Sequence, residues 1–298
     1  MIEKKVSVII PFFNGVEWLG ESVQSILDQT YKNIEIIVVN DGSPEDIKPF
    51  LDNFGDKVIY RYQENQGPAA ARNLAMSIAS GDYIAFEDSD DVWLPTKLEK
   101  QIGFMEENGF VWSHTGFYYW WPNKNKTKLI SNRFDYGDIS KQMKISFKMV
   151  TPSVVVHRRT LEEHPEIVFP VEMRKAQDTA YFTQLAKYYK VALIEEPLVK
   201  IRMRGDNSNG QVLMRFEKRA QAYLKDKDND SALSITRFTG CIYLFYHKLF
   251  GTRRSRIKEF VAKCFWALPF FIERFSLYFM VRRAKKDDRY LLRCNSKR

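Results

Sequence analysis

The sequence predicts an α/β protein: a doubly wound, mixed sheet flanked by helices, followed by a helical C-terminal extension. Three observations predict it. Short apolar runs rich in β-branched and aromatic residues recur at 6–10, 34–40, 58–62 and 83–87, bounded by turn formers such as Pro, Asp, Asn and Gly. Segments with helical spacing of apolar residues separate those runs, which implies right-handed βαβ units and parallel strands. The chain has 298 residues, 45% of them apolar, enough to bury the core of one large domain with an appendage.

The elements follow in order. The first run reaches Pro11, Phe12 and Asn14, and Trp18, Val23, Ile26 and Leu27 then fall on one face of a helix. The second ends in Asp41, Gly42 and Ser43, before a helix with Ile47, Phe50, Leu51 and Phe54 on its apolar face. The third leads through residues 64–67 to a helix whose expected apolar face is Ala70, Leu74, Ala75 and Ile78. The fourth runs directly into Glu87, Asp88, Ser89, Asp90 and Asp91. Strands are then expected at 110–119, 153–157 and 191–194, with a helix at 178–189. Beyond Asn209 the sequence favours helix, with breaks at Gly251 and Pro269. In such sheets ligands bind beyond the carboxyl ends of the strands, so the four polar loops are expected to converge on one crevice.

The acidic loop is the sharpest signal. Carboxylates crowded at the end of an apolar strand raise one another's pKa unless a cation lies among them. Mg²⁺ or Mn²⁺, which keep water and combine one or two carboxylates with diphosphate oxygens, fit that pattern. The same acids also read as a helix N-terminus ahead of Leu94 and Pro95. Asp41 reads either as an acceptor for the imide of a base or as a turn residue. Asn65, Gln66, Gly67 and Pro68 followed by three alanines and Arg72 give a glycine turn, a proline at the first helical position and a cation. That arrangement either admits a nucleotide close to the backbone or is an ordinary loop with Arg72 on the surface. Trp93, Trp112, Tyr118, Tyr119, Trp120 and Trp121 offer stacking surfaces for sugars, although an aromatic strand is more often core.

Together and in this order, VSVIIPFFNG, IEIIVVNDGS, ENQGPAAARN and YIAFEDSDDVW resemble the family-2 glycosyltransferases of the GT-A fold, over roughly residues 5–208. The resemblance implies a nucleotide-sugar half at 1–108 and an acceptor half at 109–209. It also implies that Pro11, Phe12 and Asn14 frame uridine, that Asp41 binds uracil, and that Asn65, Gly67, Arg72 and Ser89 line the donor site. Asp88 would contact ribose or metal, and Asp90 would hold Mn²⁺ or Mg²⁺ on the diphosphate. An inverting transfer needs a general base for the acceptor hydroxyl. Asp178, after Gln177, resembles the family's acidic pair at a helix start, with Gln where Glu is common. Asp178 also reads as a helix N-cap. The segment 201–208, with Arg202 and then Arg204, resembles the family segment in which Arg and then His precede Asn and Ser near the diphosphate; Arg204 stands at the histidine position, where a fixed cation would stabilise the departing UDP, and the other reading puts this loop outside the site.

Charge and composition address location. The net charge is +9, yet residues 251–298 hold 14 Lys/Arg against 4 Asp/Glu, so the remainder is close to neutral. This distribution disfavours nucleic acid as a partner and favours an anionic membrane surface bound through residues 210–298. The apolar stretch 264–281 is interrupted by Pro269, Glu273 and Arg274, so it is expected to lie on a membrane rather than cross it; packing on the domain or on a second subunit is the competing reading. No cleavable leader pattern is visible at residues 1–15, so a cytoplasmic enzyme at the inner face of the membrane is expected. Cys241, Cys264 and Cys294 match neither a zinc site nor a disulfide framework. A UDP-sugar donor and a lipid-linked glycan acceptor follow from the resemblance and the tail. A sugar nucleotidyltransferase and a non-catalytic scaffold are the alternatives, and the first would need a glycine-rich basic loop that PFFNG lacks.

Overall fold

The computed structural model describes residues 4–130, 132, 135–143, 148–173, 176–204 and 288–293. Strand β1 (Val6–Phe12) is hydrogen-bonded in parallel to β2 (Ile34–Asp41) on one side and to β4 (Tyr83–Phe86) on the other, and β3 (Ile59–Gln63) continues in parallel from β2. Every residue of β1 is buried, as a strand covered on both faces requires. β4 stops opposite Ile9, two residues before Pro11. The proline therefore sits where β1 has no ladder to complete on that side. The order β3-β2-β1-β4 places a switch point where β1 outruns β4, which is where a doubly wound sheet opens its crevice.

Beyond β4 the sheet becomes mixed, as expected. β8 (Val155–His157) runs antiparallel to β4, and β6 (Trp112–Trp121) antiparallel to β8. β9 (Ala192–Arg202) is parallel to β6, and β10 (Leu291–Leu292) is parallel to β9. β5 (Val92–Trp93) pairs antiparallel with β9 at Lys200 and Val199, and β7 (Lys126–Ile130) forms a hairpin with β6. The run expected at 191–194 extends to Arg202 through a register shift at Gly116. A Cβ on Gly116 would lie 2.5 Å from the carbonyl oxygen of Glu195, so glycine is what lets the two strands pass.

The helices α1 (Val16–Leu27), α2 (Lys48–Phe54), α3 (Pro68–Ile78), α4 (Lys97–Asn108), α6 (Arg159–Glu163) and α7 (Gln177–Tyr188) flank the sheet. α1 buries Leu19, Val23 and Ile26, each contributing roughly 1.5–3 kcal/mol. α3 departs from expectation. It buries Ala69, Ala71, Arg72, Ala75 and Met76; of the expected face Ala75 is buried while Ala70, Leu74 and Ile78 are half-buried, because the small alanines let the helix lie close on β1 and β2.

Two compact units divide the chain, one of Met1–Ile139, Lys148–Arg204 and Lys286–Arg298 and the other of Ser140–Phe147 and Gly205–Lys285. Of the second, the structure describes α5 (Ser140–Met143). The expected membrane-surface helices at 210–287 lie outside the described residues. Within the stretch expected to be helical, residues 288–290 form a 3-10 turn and Leu291–Leu292 join the sheet of the first unit. Among the described residues no helix is long and apolar enough to cross a membrane.

Candidate active site

One wall of the crevice is built by the loops after β1, β2 and β3. Asp41 ends β2 and is buried; its carboxylate accepts from the side-chain amide of Gln63 at 2.7 Å and from the backbone N–H groups of Gln66 and Gly67 at 2.8 and 2.9 Å. Asp41 thus pins the loop between β3 and α3. Gly42 has φ of 71°, and a Cβ there would lie 2.7 Å from the amide nitrogen of Asn65, so the two loops approach as only glycine allows. Asn40 accepts from the amide of Ser43 at 2.8 Å and donates to the Tyr60 hydroxyl at 2.8 Å. Pro11, Phe12, Phe13, Asp41, Asn65, Gly67 and Pro68 line a cavity of about 200 Å³. Its volume suits one part of a ligand rather than the whole of one. Glu45 accepts from the amides of Gly15 and Val16 at 2.9 to 3.0 Å, so the positive end of α1 is already compensated.

The other wall is charged. Asp88 pairs with Arg72 at 2.6 Å, and the Arg72 guanidinium lies 5.4 Å over the ring of Phe169. Asp90 pairs with Arg204, Nε to Oδ2, at 3.2 Å. Asp91 accepts from the backbone N–H of Arg202 at 2.8 Å. The Arg202 side chain donates to the Asp90 carbonyl at 2.8 Å, pairs with Glu21 and stacks 4.4 Å over Trp120. Three arginines from two distant segments therefore surround the acidic loop. α4 begins only at Lys97, with Thr96 as its N-cap and β5 intervening. The reading of the acids as a cap for that helix is thereby excluded.

The electrostatics of this wall are costly. Burial, and then repulsion from Asp88, raises the pKa of Asp90, with Arg204 and Arg202 opposing. Burial, with Asp90 and Asp88 behind it, pushes Asp91 well above the usual carboxylate range, and burial with Asp91 does the same to Glu87. Burial lowers the ammonium of Lys97 to about 7; its Nζ lies 3.8 Å over the Trp93 ring. Asp88 and Asp90 offer hard oxygen ligands, and a divalent cation would relieve their repulsion. Among the described residues no three His, Cys, Asp or Glu are grouped to hold a metal unaided. The residues present thus fit an ion such as Mg²⁺ or Mn²⁺, whose remaining ligands are water and phosphate oxygens.

The sequence profile described as "Glycosyl transferase family 2" matches residues 7–164, more than half of the chain. The chain belongs to glycosyltransferase family 2. An uncharacterized glycosyltransferase of Rickettsia bellii is 36% identical over 208 residues, 69% of this chain and 30% of the relative. The chain spans about a third of the length of the first curated relatives it matches. An Escherichia coli protein named UDP-Glc:alpha-D-GlcNAc-diphosphoundecaprenol beta-1,3-glucosyltransferase is 44% identical over 115 residues, 38% of this chain and 46% of that one. The crystal structure of Staphylococcus aureus TarS in complex with UDP-GlcNAc superposes with a TM-score of 0.60 at 20% identity, covering 83% of this chain and 73% of that one. The last similarity establishes the GT-A-type fold alone.

Set in this family-2 frame, most residues singled out from the sequence gather at the crevice. Pro11, Phe12, Asp41, Asn65 and Gly67 line the cavity, whereas Asn14 is exposed and Ser89 half-buried, both outside its lining. Arg72 is buried and faces Asp88, so the reading of it as a surface cation is excluded. Asp178 is the second residue of α7; the N-cap is Ala176, in the left-handed region at φ 60°, so Asp178 does not cap the helix. One turn on, Tyr181 stacks on Phe169 at 4.2 Å and meets Phe86 edge-on at 5.8 Å. Asn73 fixes Phe169 through mutual bonds of 2.8 and 2.9 Å with its backbone. The start of α7 is thereby held against the end of β4 and the same ring that carries Arg72. Trp93 and Trp112 are core residues.

Two site residues escape the sequence reading, Glu45 at α1 and Glu21 beside Arg202.

Proposed function

We propose that the chain transfers a hexose or N-acetylhexosamine from a UDP-sugar to a hydroxyl of a lipid-linked or cell-surface glycan precursor, with inversion at the anomeric carbon. The observation that carries this reading is the pairing of a neutral, base-sized cavity beside Asp41 with an acidic loop whose Asp88 and Asp90 face Arg72 and Arg204. In this reading Pro11, Phe12, Asp41, Asn65 and Gly67 hold the uridine. Asp88 and Asp90 hold Mn²⁺ or Mg²⁺, which when bound neutralises charge on the diphosphate leaving group. Arg72, paired with Asp88 at 2.6 Å, aims its carboxylate. Asp178 accepts the proton of the acceptor hydroxyl as its oxygen attacks the anomeric carbon opposite the departing UDP.

The names of the relatives support two further parts. A UDP-GlcNAc complex among the solved neighbours supports a UDP-linked donor, and a diphosphoundecaprenol-linked acceptor in the E. coli relative's name supports a lipid-linked acceptor. The basic, aromatic composition of residues 251–287 supports a peripheral position on the inner face of the membrane.

A screen for UDP release across UDP-glucose, UDP-galactose and their N-acetyl forms, with membrane lipid extract as acceptor, tests the reaction. At least one donor should release UDP well above the Asp90→Ala background, and no release with any donor sinks the proposal. Sedimentation with anionic liposomes tests the location. Deletion of 251–287, sparing β10, should abolish co-sedimentation, and retained binding removes the membrane clause.

A further inference from the structure

Arg72 and Asn73 are neighbours on α3, and they reach toward the two halves of the site by different routes. Arg72 pairs with Asp88 at 2.6 Å. The Asn73 side chain makes a two-point bond to the main chain of Phe169, donating to its carbonyl at 2.8 Å and accepting from its N–H at 2.9 Å, as a paired strand residue would. Two bonds fix direction as well as distance. The Phe169 ring is fully buried and lies nearly parallel to that of Tyr181, 4.2 Å away and inclined by 7°, while Phe86 at the end of β4 meets both rings edge-on at 5.5 and 5.8 Å. A flat stack boxed in by an edge contact resists tilting of one ring on the other. The approach to α7 is stiffened as well: the amide of Met173 donates to the Pro170 carbonyl at 3.2 Å, and the side-chain amide of Gln177 donates to the Met173 carbonyl.

We propose that Phe169 is a positioning residue: clamped to α3 by Asn73, it sets the register of α7 so that Asp178 meets the Asp88–Asp90 loop at the separation the transfer requires. This rests on the reading of Asp178 as the base. Asp178 and Tyr181 are three positions apart on α7, so they share one face of that helix. The shared face packs on Phe86, which stands two residues before Asp88, and is thereby turned toward the carboxyl end of β4. Burying an aromatic cluster requires no polar clamp on the main chain. A base that must come within hydrogen-bond reach of a hydroxyl does require its helix to be fixed to within about half an ångström. α3 thus carries both references, Arg72 for the carboxylate on the ion and Asn73 for the helix of the base.

The test is a double-mutant cycle on the full-length protein, read as UDP release with the donor that the screen above selects and membrane lipid extract as acceptor. Phe169→Leu keeps apolar bulk without the flat face, and Asn73→Ala removes the two-point bond. Each should lower turnover about 10- to 100-fold, as a misplacement on the order of 1 Å does, with donor KM and UDP affinity within about twofold of wild type. In the Asp178→Asn background the same substitutions should lower the residual turnover by less than about twofold, because no base is left to misplace. Equal losses in the two backgrounds, or a loss that falls on UDP affinity, overturn the positioning role and leave the base reading intact. An Asp178→Asn enzyme as active as wild type removes the base, and the positioning role with it. Cooperative melting shows which variants are folded; if Phe169→Leu does not melt cooperatively, Asn73→Ala closes the cycle by itself.

Discussion

The two walls of the crevice satisfy their polar groups in opposite ways. On the neutral wall one carboxylate, Asp41, meets three N–H donors, and Asn40 and Glu45 are similarly matched to nearby donors, so the loops lock one another at little electrostatic cost. On the charged wall Asp88, Asp90 and Asp91 crowd together, and arginines offset their repulsion only in part. In the proposed reading, the difference separates positioning from chemistry. A wall that only shapes a ligand site can be stable by itself, whereas one that meets a charged reaction centre stores unfavourable energy that a ligand relieves.

The largest expected effect breaks the charged wall. Asp90→Asn should lower transfer by about 10³-fold, consistent with losing several kcal/mol of charge stabilisation in the transition state. The fold raises the pKa of Asp90 through burial and Asp88, so ionised Asp90 costs stability above its unfolded pKa, and the cost is present at neutral pH. The variant should therefore melt at or above the wild-type temperature; a clear drop would mean that the wall is structural. Next is Asp178→Asn. Its turnover should fall by roughly 10²- to 10⁴-fold while UDP affinity stays unchanged, and an active variant rules out the base assignment.

Asp41→Asn attacks the neutral wall. Hydrogen bonds to a charged group contribute about 1.5–3 kcal/mol, so denaturant unfolding should show a loss of that order, accompanied by weaker UDP binding. Unchanged stability with lost UDP binding would make Asp41 a ligand contact rather than a clamp. The smallest effect lies at the opposite end of the sheet. Burial alone would raise the pKa of Glu35, but hydrogen bonds from Lys5, Ser7 and Ser80 outweigh it and hold it at about 2. Its folded pKa lies below the unfolded value near 4.5, so the stability it contributes is present above that pH and lost as the pH falls toward 2. Glu35→Gln should flatten that acid limb by about 1–2 kcal/mol, after allowance for solvent screening, and leave transfer and UDP binding untouched.

What the sequence made legible follows the same division. β1 to β4, Asp41, Gly67 and the acidic loop are written in contiguous runs, where apolar periodicity and turn residues act over a few positions. β5 has two residues and β7 is an exposed KTKLI with no apolar alternation, so local pattern marks neither as strand; β9 is legible only over 191–194, because beyond it the strand passes through Glu195, Glu196 and Pro197. The partners of the acids were hidden for a different reason. Arg202 meets Glu21 across 181 positions, and Arg204 reaches Asp90 only after β9 has paired with β6, so tertiary assembly rather than local spacing creates the charged wall.

Asp41 grips the β3–α3 loop through the main-chain N–H groups of Gln66 and Gly67. A clamp on main chain is blind to side-chain identity, so residues 64–66 can change without surrendering the loop's position. That makes Glu64, Asn65 and Gln66 the economical place to diversify when nucleotide preference is to be re-engineered, since binding can drift there while the scaffold tolerates the change.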